Sequence, residues 1–318
     1  MDFNLTPVQQ QLQARAQQMV YRLAADASAE AVIDAAAQAQ LLDREEDLLA
    51  AAVAVEAIAW TSASAGIVVA LHSSVLRAIG EHPLRRELER GERVGAIALS
   101  SDDYPAAGAT LSGRASWVAP LTTNGLAVVG ARSDDGFGAY VVALDAPGVT
   151  IDPIQTAALE GMVCGHLILE SAAATPLGPT QAIMTRARIM LAAAGLGMGR
   201  RALHEALQVA RALNRTGAGG EQTVQGLLAD AATELDAAML LMWKAASAYT
   251  PSLAEASLAK LAATEATQRA VARATQIVGA ASFTSGHIID RLARDVRALE
   301  LFAGRTEALR EAAAAELL

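Results

Sequence analysis

The stretch that decides the fold covers residues 189–211 and reads IMLAAAGLGMGRRALHEALQVAR. Its glycine-rich segment, GLGMG at 195–199, is similar to a dinucleotide-binding loop, but such a loop follows a strand and opens a helix. Here the residues on both sides of the glycines continue one helical pattern, and no strand pattern precedes them. The glycines therefore predict a long helix against which a second helix packs closely.

The rest of the chain changes pattern twice around this helix. Residues 1–93 read as helices, with capping boxes at TPVQ (6–9) and DREE (43–46). Residues 94–179 hold six short apolar runs separated by turn signals such as Asn124-Gly125, which favours a small β-barrel or sandwich. Residues 180–318 are helical again, with a capping box at SLAE (252–255) and a helix stop at Gly279. We predict three domains over these ranges, in an α+β fold that is mostly α.

Composition excludes several classes of protein. The chain has 318 residues, net charge −9 and no basic stripe, which argues against nucleic-acid binding. Its one cysteine, Cys164, excludes an internal disulfide and is compatible with a cytoplasmic location. The N-terminus lacks the pattern of a secretory signal. The most apolar run, 48–60, is shorter than the ~20 residues of a membrane-spanning helix, so we expect no membrane insertion.

Few residues suggest chemistry by themselves. The five histidines are scattered, and none lies at metal-ligand spacing from another or from Cys164. Trp117 lies in a β-like run, where it is either a core residue or a flat wall against a planar cofactor. The residues alone leave this choice open.

Several strings together resemble the acyl-CoA dehydrogenase family. The opening MDFNLTPVQQQLQ resembles its N-terminal helix, and GRASWV (113–118) resembles the strand whose tryptophan flanks the flavin. GLGMGRRALHEALQVAR (195–211), QIVG (276–279) and RDVR (294–297) resemble the C-terminal helices in the family's order. The resemblance implies a C-terminal four-helix bundle, FAD bound between subunits of a tetramer, and α,β-dehydrogenation of an acyl-CoA, a reaction of lipid catabolism.

The resemblance also assigns residues to the site. Those that match cofactor-contacting positions are Ser100, Trp117, Arg211, Gln222, Gln276, Gly279 and Glu307. Arg188 matches an arginine near the acyl pocket. No metal site is implied.

The base positions depart from the family. A glutamate in the last loop normally takes the α-proton, and here that position is Ala303. Some relatives place the base before the arginine of the first bundle helix, and here that position is Ala187. Alanine cannot accept a proton. Glu300 lies one helical turn before Ala303 and is an alternative base, although a helix backbone does not swing far enough to move a side chain by a full turn.

Three hypotheses follow from this departure. The chain is a base-less subunit that works beside a homologous chain carrying the glutamate, or a homo-oligomer that uses another carboxylate such as Glu300. In the second hypothesis, the chain is a non-catalytic scaffold of the same fold with no flavin of its own. A third hypothesis, flavin chemistry that needs no base, has no positive support in the sequence.

Overall fold

The computed structural model describes residues 4–42, 47–99, 105–134, 136–215 and 222–318, with the side chains of residues 214 and 215 left out. Within these ranges the chain runs from helices through strands to helices. This confirms the predicted order and the mostly helical α+β class.

Five helices form the N-terminal part. They are α1 (Pro7–Val20), α2 (Ala29–Gln38), α3 (Leu48–Thr61), α4 (Ala63–Ala78) and α5 (Arg85–Glu89). The predicted capping box at the start of α1 is confirmed, because Thr6 and Gln9 each accept the other's backbone N–H. The predicted box at residues 43–46 lies outside the described residues. Helix α3 is instead capped by Asp47, whose carboxylate accepts the N–H of Ala50 at 2.8 Å.

Eight strands form one connected sheet within the described residues. They are β1 (Gly95–Ala98), β2 (Ala106–Ala107), β3 (Leu111–Val118), β4 (Leu126–Ser133), β5 (Gly136–Ala143), β6 (Val149–Ile154), β7 (Cys164–Ala172) and β8 (Thr175–Gly178). Their order is β6-β7-β3-β2-β4-β5-β8, and β1 pairs with β4. All six predicted runs contain strands. Strand β2 has only two residues, and β8 contains Pro176 and Gly178, so neither left a strand pattern in the sequence.

Long helices make up the C-terminal part. They are α6 (Gln181–Arg215), α7 (Gln222–Ser247), α8 (Leu253–Val278), a 3-10 turn (Gly279–Phe283), α9 (Ile288–Leu299) and α10 (Thr306–Ala314). The predicted capping box Ser252/Glu255 is present at the start of α8. Gly279 ends that helix with a φ of +69°, a conformation that glycine adopts without steric cost. No helix among the described residues is long and apolar enough to cross a membrane.

The glycines of α6 are packing positions, as predicted. A Cβ on Gly197 would lie 2.3 Å from the carbonyl oxygen of Glu56, so α3 touches the backbone of α6 here. A Cβ on Gly199 would lie 2.8 Å from the hydroxyl of Thr267 on α8. An ion pair between Arg200 and the buried Glu56, at 2.9 Å, supports the same crossing. Helix α6 therefore packs against both the N-terminal helices and the C-terminal ones.

The hydrophobic core connects the two helical parts with each other and with the sheet. Buried apolar side chains form one cluster that runs through the N-terminal and C-terminal helices and includes strand residues such as Ile97, Val128 and Val141. A second cluster lies within the β region. The sheet is tied to α4 by His72, which is fully buried and whose Nδ1 accepts the N–H of Gly95 at 3.1 Å. Burial lowers the pKa of His72 to about 4, so this histidine stays neutral and acts as a structural acceptor.

Candidate functional site

A cleft lies where the sheet meets the last loop of the chain. Its described lining consists of Leu71, Ile97, Ala98, Leu99, Ser116, Trp117, Leu301, Phe302 and Ala303. The N–H of Ile97 donates to the carbonyl of Ala119 at 3.2 Å, which brings the end of β1 beside the end of β3. The fold thus places Trp117 and Ala303, two residues predicted for the site, in one cleft.

Trp117 is not a core residue. It is 46% exposed, whereas the next residue of the strand, Val118, is fully buried, and the φ of Trp117 is +56°. Positive φ is uncommon for a residue with a bulky side chain. The indole meets the ring of His166 edge to face at 6.0 Å. The conformation leaves a flat aromatic surface at the mouth of the cleft, which is the feature that a planar ligand needs.

The opposite wall is the turn between α9 and α10. Ala303 has a φ of +53° and Gly304 a φ of +108°, so the chain reverses through two left-handed residues. The Ala303 methyl is only 5% exposed and forms part of the cleft wall. Among the described residues that line the cleft, none carries a carboxylate. At the position predicted for the base, the Ala303 side chain therefore forms part of the cleft wall and cannot accept a proton.

Two buried basic side chains donate hydrogen bonds to the backbone of this turn. The Nε of Arg188 on α6 donates to the carbonyl of Ala303 at 3.0 Å, and its Nη1 donates to the hydroxyl of Ser257 at 2.6 Å. The Nζ of Lys260 on α8 donates to the carbonyl of Gly304 at 2.8 Å. Burial lowers the pKa of Arg188 to about 10 and the pKa of Lys260 to about 7. Both contacts are charge-assisted hydrogen bonds to backbone oxygens.

Lys260 is not among the residues predicted for the site. Arg188, which the resemblance places near an acyl pocket, is buried and donates from its guanidinium to the backbone of the turn. A signal for Lys260 does exist, since it is spaced by four and three residues from Ala256 and Ala263, both fully buried. A lysine on the buried stripe of a helix must find a partner.

The alternative carboxylate points elsewhere. Glu300 caps the end of α9, and its Oε1 accepts a short hydrogen bond from the amide of Gln268 on α8. Ala187, the other position considered for a base, is fully buried in the helical core. Neither residue is part of the described cleft lining.

The remaining predicted cofactor residues lie on the surface of the helical part. Arg211 lies in the last turns of α6, and Gln222 is the first residue of α7. Gln276 lies in the last turn of α8, and Gly279 follows that helix. Helix α8 is antiparallel to α7, because Arg269 pairs with Glu234 at 2.7 Å, while Arg273, one turn later, reaches Asp230, one turn earlier, at 4.0 Å. These four residues therefore share one end of the helical bundle, where the three side chains are exposed.

Two other predicted residues stand apart from that group. Glu307 is exposed in the first turn of α10, close in sequence to the cleft wall. Ser100 lies outside the described residues. Of the predicted cofactor residues that the structure describes, Trp117 lines the cleft, Arg211, Gln222, Gln276 and Gly279 lie at the bundle end, and Glu307 lies in α10. No group of three or more potential metal ligands occurs in the described part of the chain.

Comparisons with known proteins give a consistent picture. Residues 179–318 match the family model described as "Acyl-CoA dehydrogenase, C-terminal domain". The human mitochondrial short-chain specific acyl-CoA dehydrogenase is 30% identical over 316 residues, which cover 86% of this chain and 76% of that protein.

Solved structures share the fold. Butyryl-CoA dehydrogenase from Megasphaera elsdenii superposes with a TM-score of 0.88 at 20% identity, with 100% of both chains covered. Glutaryl-CoA dehydrogenase from Mycobacterium smegmatis, solved in complex with FADH2, gives a TM-score of 0.87 at 17% identity, with 98% of this chain and 95% of that chain covered.

Proposed function

Because the chain belongs to the acyl-CoA dehydrogenase family of FAD-dependent oxidoreductases, we propose that it dehydrogenates the α,β bond of an acyl-CoA as the base-less subunit of a mixed oligomer. A homologous chain supplies the glutamate. The observation that carries this proposal is the cleft between Trp117 and Ala303, which keeps the aromatic wall and lacks any described carboxylate.

The chain's own residues fit FAD. Trp117 offers an exposed indole face for the isoalloxazine ring, which a core tryptophan could not do. Arg211, Gln222 and Gln276 are exposed polar side chains at one bundle end, suited to phosphate and adenine groups. The separation of this group from the cleft supports a cofactor shared between two chains, each contributing one half. Ser100, Gly279 and Glu307 complete the proposed set.

The division of labour follows from the acid–base chemistry. FAD held by these residues would supply the acceptor for the β-hydrogen as hydride, which is chemistry that a protein side chain cannot supply. The α-proton must leave to a positioned base as negative charge develops on the thioester oxygen. Ala303 and Ala187 cannot accept it, and Glu300 is engaged by Gln268. Arg188 and Lys260 keep the turn in place, so this chain shapes the cleft while a partner provides the base.

The test is to co-express this chain with a glutamate-bearing homologue and record the visible spectrum of the purified complex. We expect a mixed oligomer with flavin absorbance, and for the isolated chain a turnover about 10²–10⁴-fold lower, the usual cost of losing a general base. Arg211→Ala is expected to lower flavin content. Arg22→Ala, an exposed arginine after α1, is the matched control and is expected to leave it unchanged.

Two outcomes would overturn the proposal. Full turnover by the isolated chain would show that it carries a base of its own. A colourless protein, both alone and with the partner, would favour the second candidate function, a non-catalytic scaffold. That candidate is supported by alanine at both positions where relatives carry the base, Ala303 and Ala187.

A further inference from the structure

Lys260 is the least expected buried group of the chain. Its side chain has no exposed surface, and it is the largest fully buried side chain of the described residues. Transfer of an ammonium group from water to a protein interior costs several kcal/mol unless hydrogen bonds compensate. A methionine of similar length would avoid this cost. The residue therefore needs an explanation in terms of what its charge does.

The charge is directed at the turn that forms the cleft wall. Lys260 donates to the carbonyl of Gly304, while Arg188 donates to the carbonyl of the preceding residue, Ala303. Two cations from two different helices thus hold two successive carbonyls. The φ values of +53° and +108° at these residues describe a backbone that an alanine does not favour. Fixed donors behind the turn are a physical means of maintaining it.

We propose that Lys260 is a positioning residue, whose ammonium group fixes the turn at 303–304 and thereby holds residues 301–303 as the wall facing Trp117. The inference rests on the proposed function only in calling this cleft an active site. The geometric claim stands for the chain without flavin or partner. Lys260 does not touch the cleft itself and acts through the turn.

The charged groups that act on Lys260 are Arg188 from α6 and Glu300 from the end of α9. Burial is the largest cause of its lowered pKa, Arg188 lowers the pKa further, and Glu300 raises it. A pKa of about 7 means that the ammonium is lost over a range accessible to experiment. The neutral amine is a weaker donor than the charged one. We therefore expect the turn to loosen as pH rises through 7.

The test is amide hydrogen exchange of the free chain, followed by mass spectrometry on peptides that cover residues 301–309. Lys260→Met keeps the length of the side chain and removes the donor. Loss of a hydrogen bond to a charged group typically allows about 10- to 100-fold faster exchange at the turn. Lys260→Gln, which restores a neutral donor, is expected to recover part of the protection.

Thr267→Val is the matched control. Thr267 is also fully buried on α8 and also donates to a backbone carbonyl, that of Gly195 at 2.8 Å, but it does not contact the turn. This variant is expected to leave exchange at 301–309 unchanged. Faster exchange in both variants, or an equal acceleration throughout α6 and α8, would reduce Lys260 to a residue of general stability and overturn the proposal.

A pH series on the unmodified chain decides the matter even if Lys260→Met fails to fold. After correction for intrinsic exchange rates, protection at 301–309 is expected to fall between pH 6 and pH 8.5, while protection inside α6 stays constant. A flat profile at the turn, together with equal exchange at 301–309 in the unmodified chain and in Lys260→Gln, would overturn the proposal. Because this measurement uses no flavin and no partner, a negative result is distinguishable from failure of the proposed function.

Discussion

Substitution of Gly197 by alanine tests the packing that joins the N-terminal helices to the C-terminal ones. Gly197 lies inside α6, at the point where α3 crosses it. An added Cβ would lie 2.3 Å from the carbonyl oxygen of Glu56 and 2.9 Å from the backbone nitrogen of Trp60. Both atoms belong to the backbone of α3, so no side-chain rotation relieves the clash. The two helices must separate instead.

The magnitude is a balance of two terms. Overpacking of a well-packed core typically costs about 1–3 kcal/mol, and a clash with backbone on a rigid helix belongs at the upper end of that range. Replacing a helical glycine by alanine returns roughly 1 kcal/mol through helix propensity. The free energy of unfolding is therefore expected to fall by about 2 kcal/mol. Gly226 on α7 provides the control, because a Cβ there meets nothing within 4 Å. Gly226→Ala is expected to raise the free energy of unfolding by up to about 1 kcal/mol.

The assay is urea denaturation followed by far-UV circular dichroism, with midpoints and slopes compared among Gly197→Ala, Gly226→Ala and the unmodified chain. The two variants change the same residue type to the same side chain in two long helices, so their difference isolates the helix crossing. If Gly197→Ala is as stable as Gly226→Ala, α3 does not press on α6 and the described crossing is wrong.

Two further predictions concern single carboxylates. Ala303→Glu is expected to raise turnover of the flavin-loaded chain by up to about 10²-fold, because it adds a base. Turnover is measured by acyl-CoA-dependent dye reduction, and an equal rise in Ala303→Gln would refute this reason. Asp295 is buried on α9 and accepts the N–H of Leu159 at 2.7 Å, and burial raises its pKa to about 6. Since the folded chain then holds a proton that the unfolded chain has released, stability falls as pH rises from about 4 to 6. Asp295→Asn is expected to flatten this part of the urea-midpoint profile by on the order of 1–3 kcal/mol, and an unchanged slope would contradict the assignment.

Local signals in the sequence predicted much of the architecture because they depend on nearby residues. The capping pairs Thr6/Gln9 and Ser252/Glu255 and the stop at Gly279 act within a single turn of helix, and each is present in the structure. The glycines at 195–199 also predicted correctly that a helix packs there. They could not say which helix, since that contact joins residues far apart in sequence.

The candidate site was harder for the same reason. The resemblance to a family suggested Trp117 and Ala303 separately, but only the folded chain brings them to one cleft. Lys260 was missed because a lone lysine in an alanine-rich helix usually lies in solvent. Its burial depends on the turn at 303–304, which is distant in sequence. Likewise, the sequence did not predict that one hydrophobic cluster joins the N-terminal helices to the C-terminal ones. The apolar pattern of α3 does not identify the helix against which α3 packs.

The energetics of the turn help to choose between an enzyme subunit and an inert scaffold. A scaffold needs only a stable fold, and burying a charged side chain costs several kcal/mol unless hydrogen bonds compensate. This chain nevertheless places Lys260 and Arg188 behind a left-handed turn whose own side chain is a methyl group. The desolvation cost of these two basic side chains is therefore associated with the backbone that forms the cleft wall, and the wall itself carries no base. That arrangement favours a cleft in which the wall still contacts a ligand while another chain performs the proton transfer.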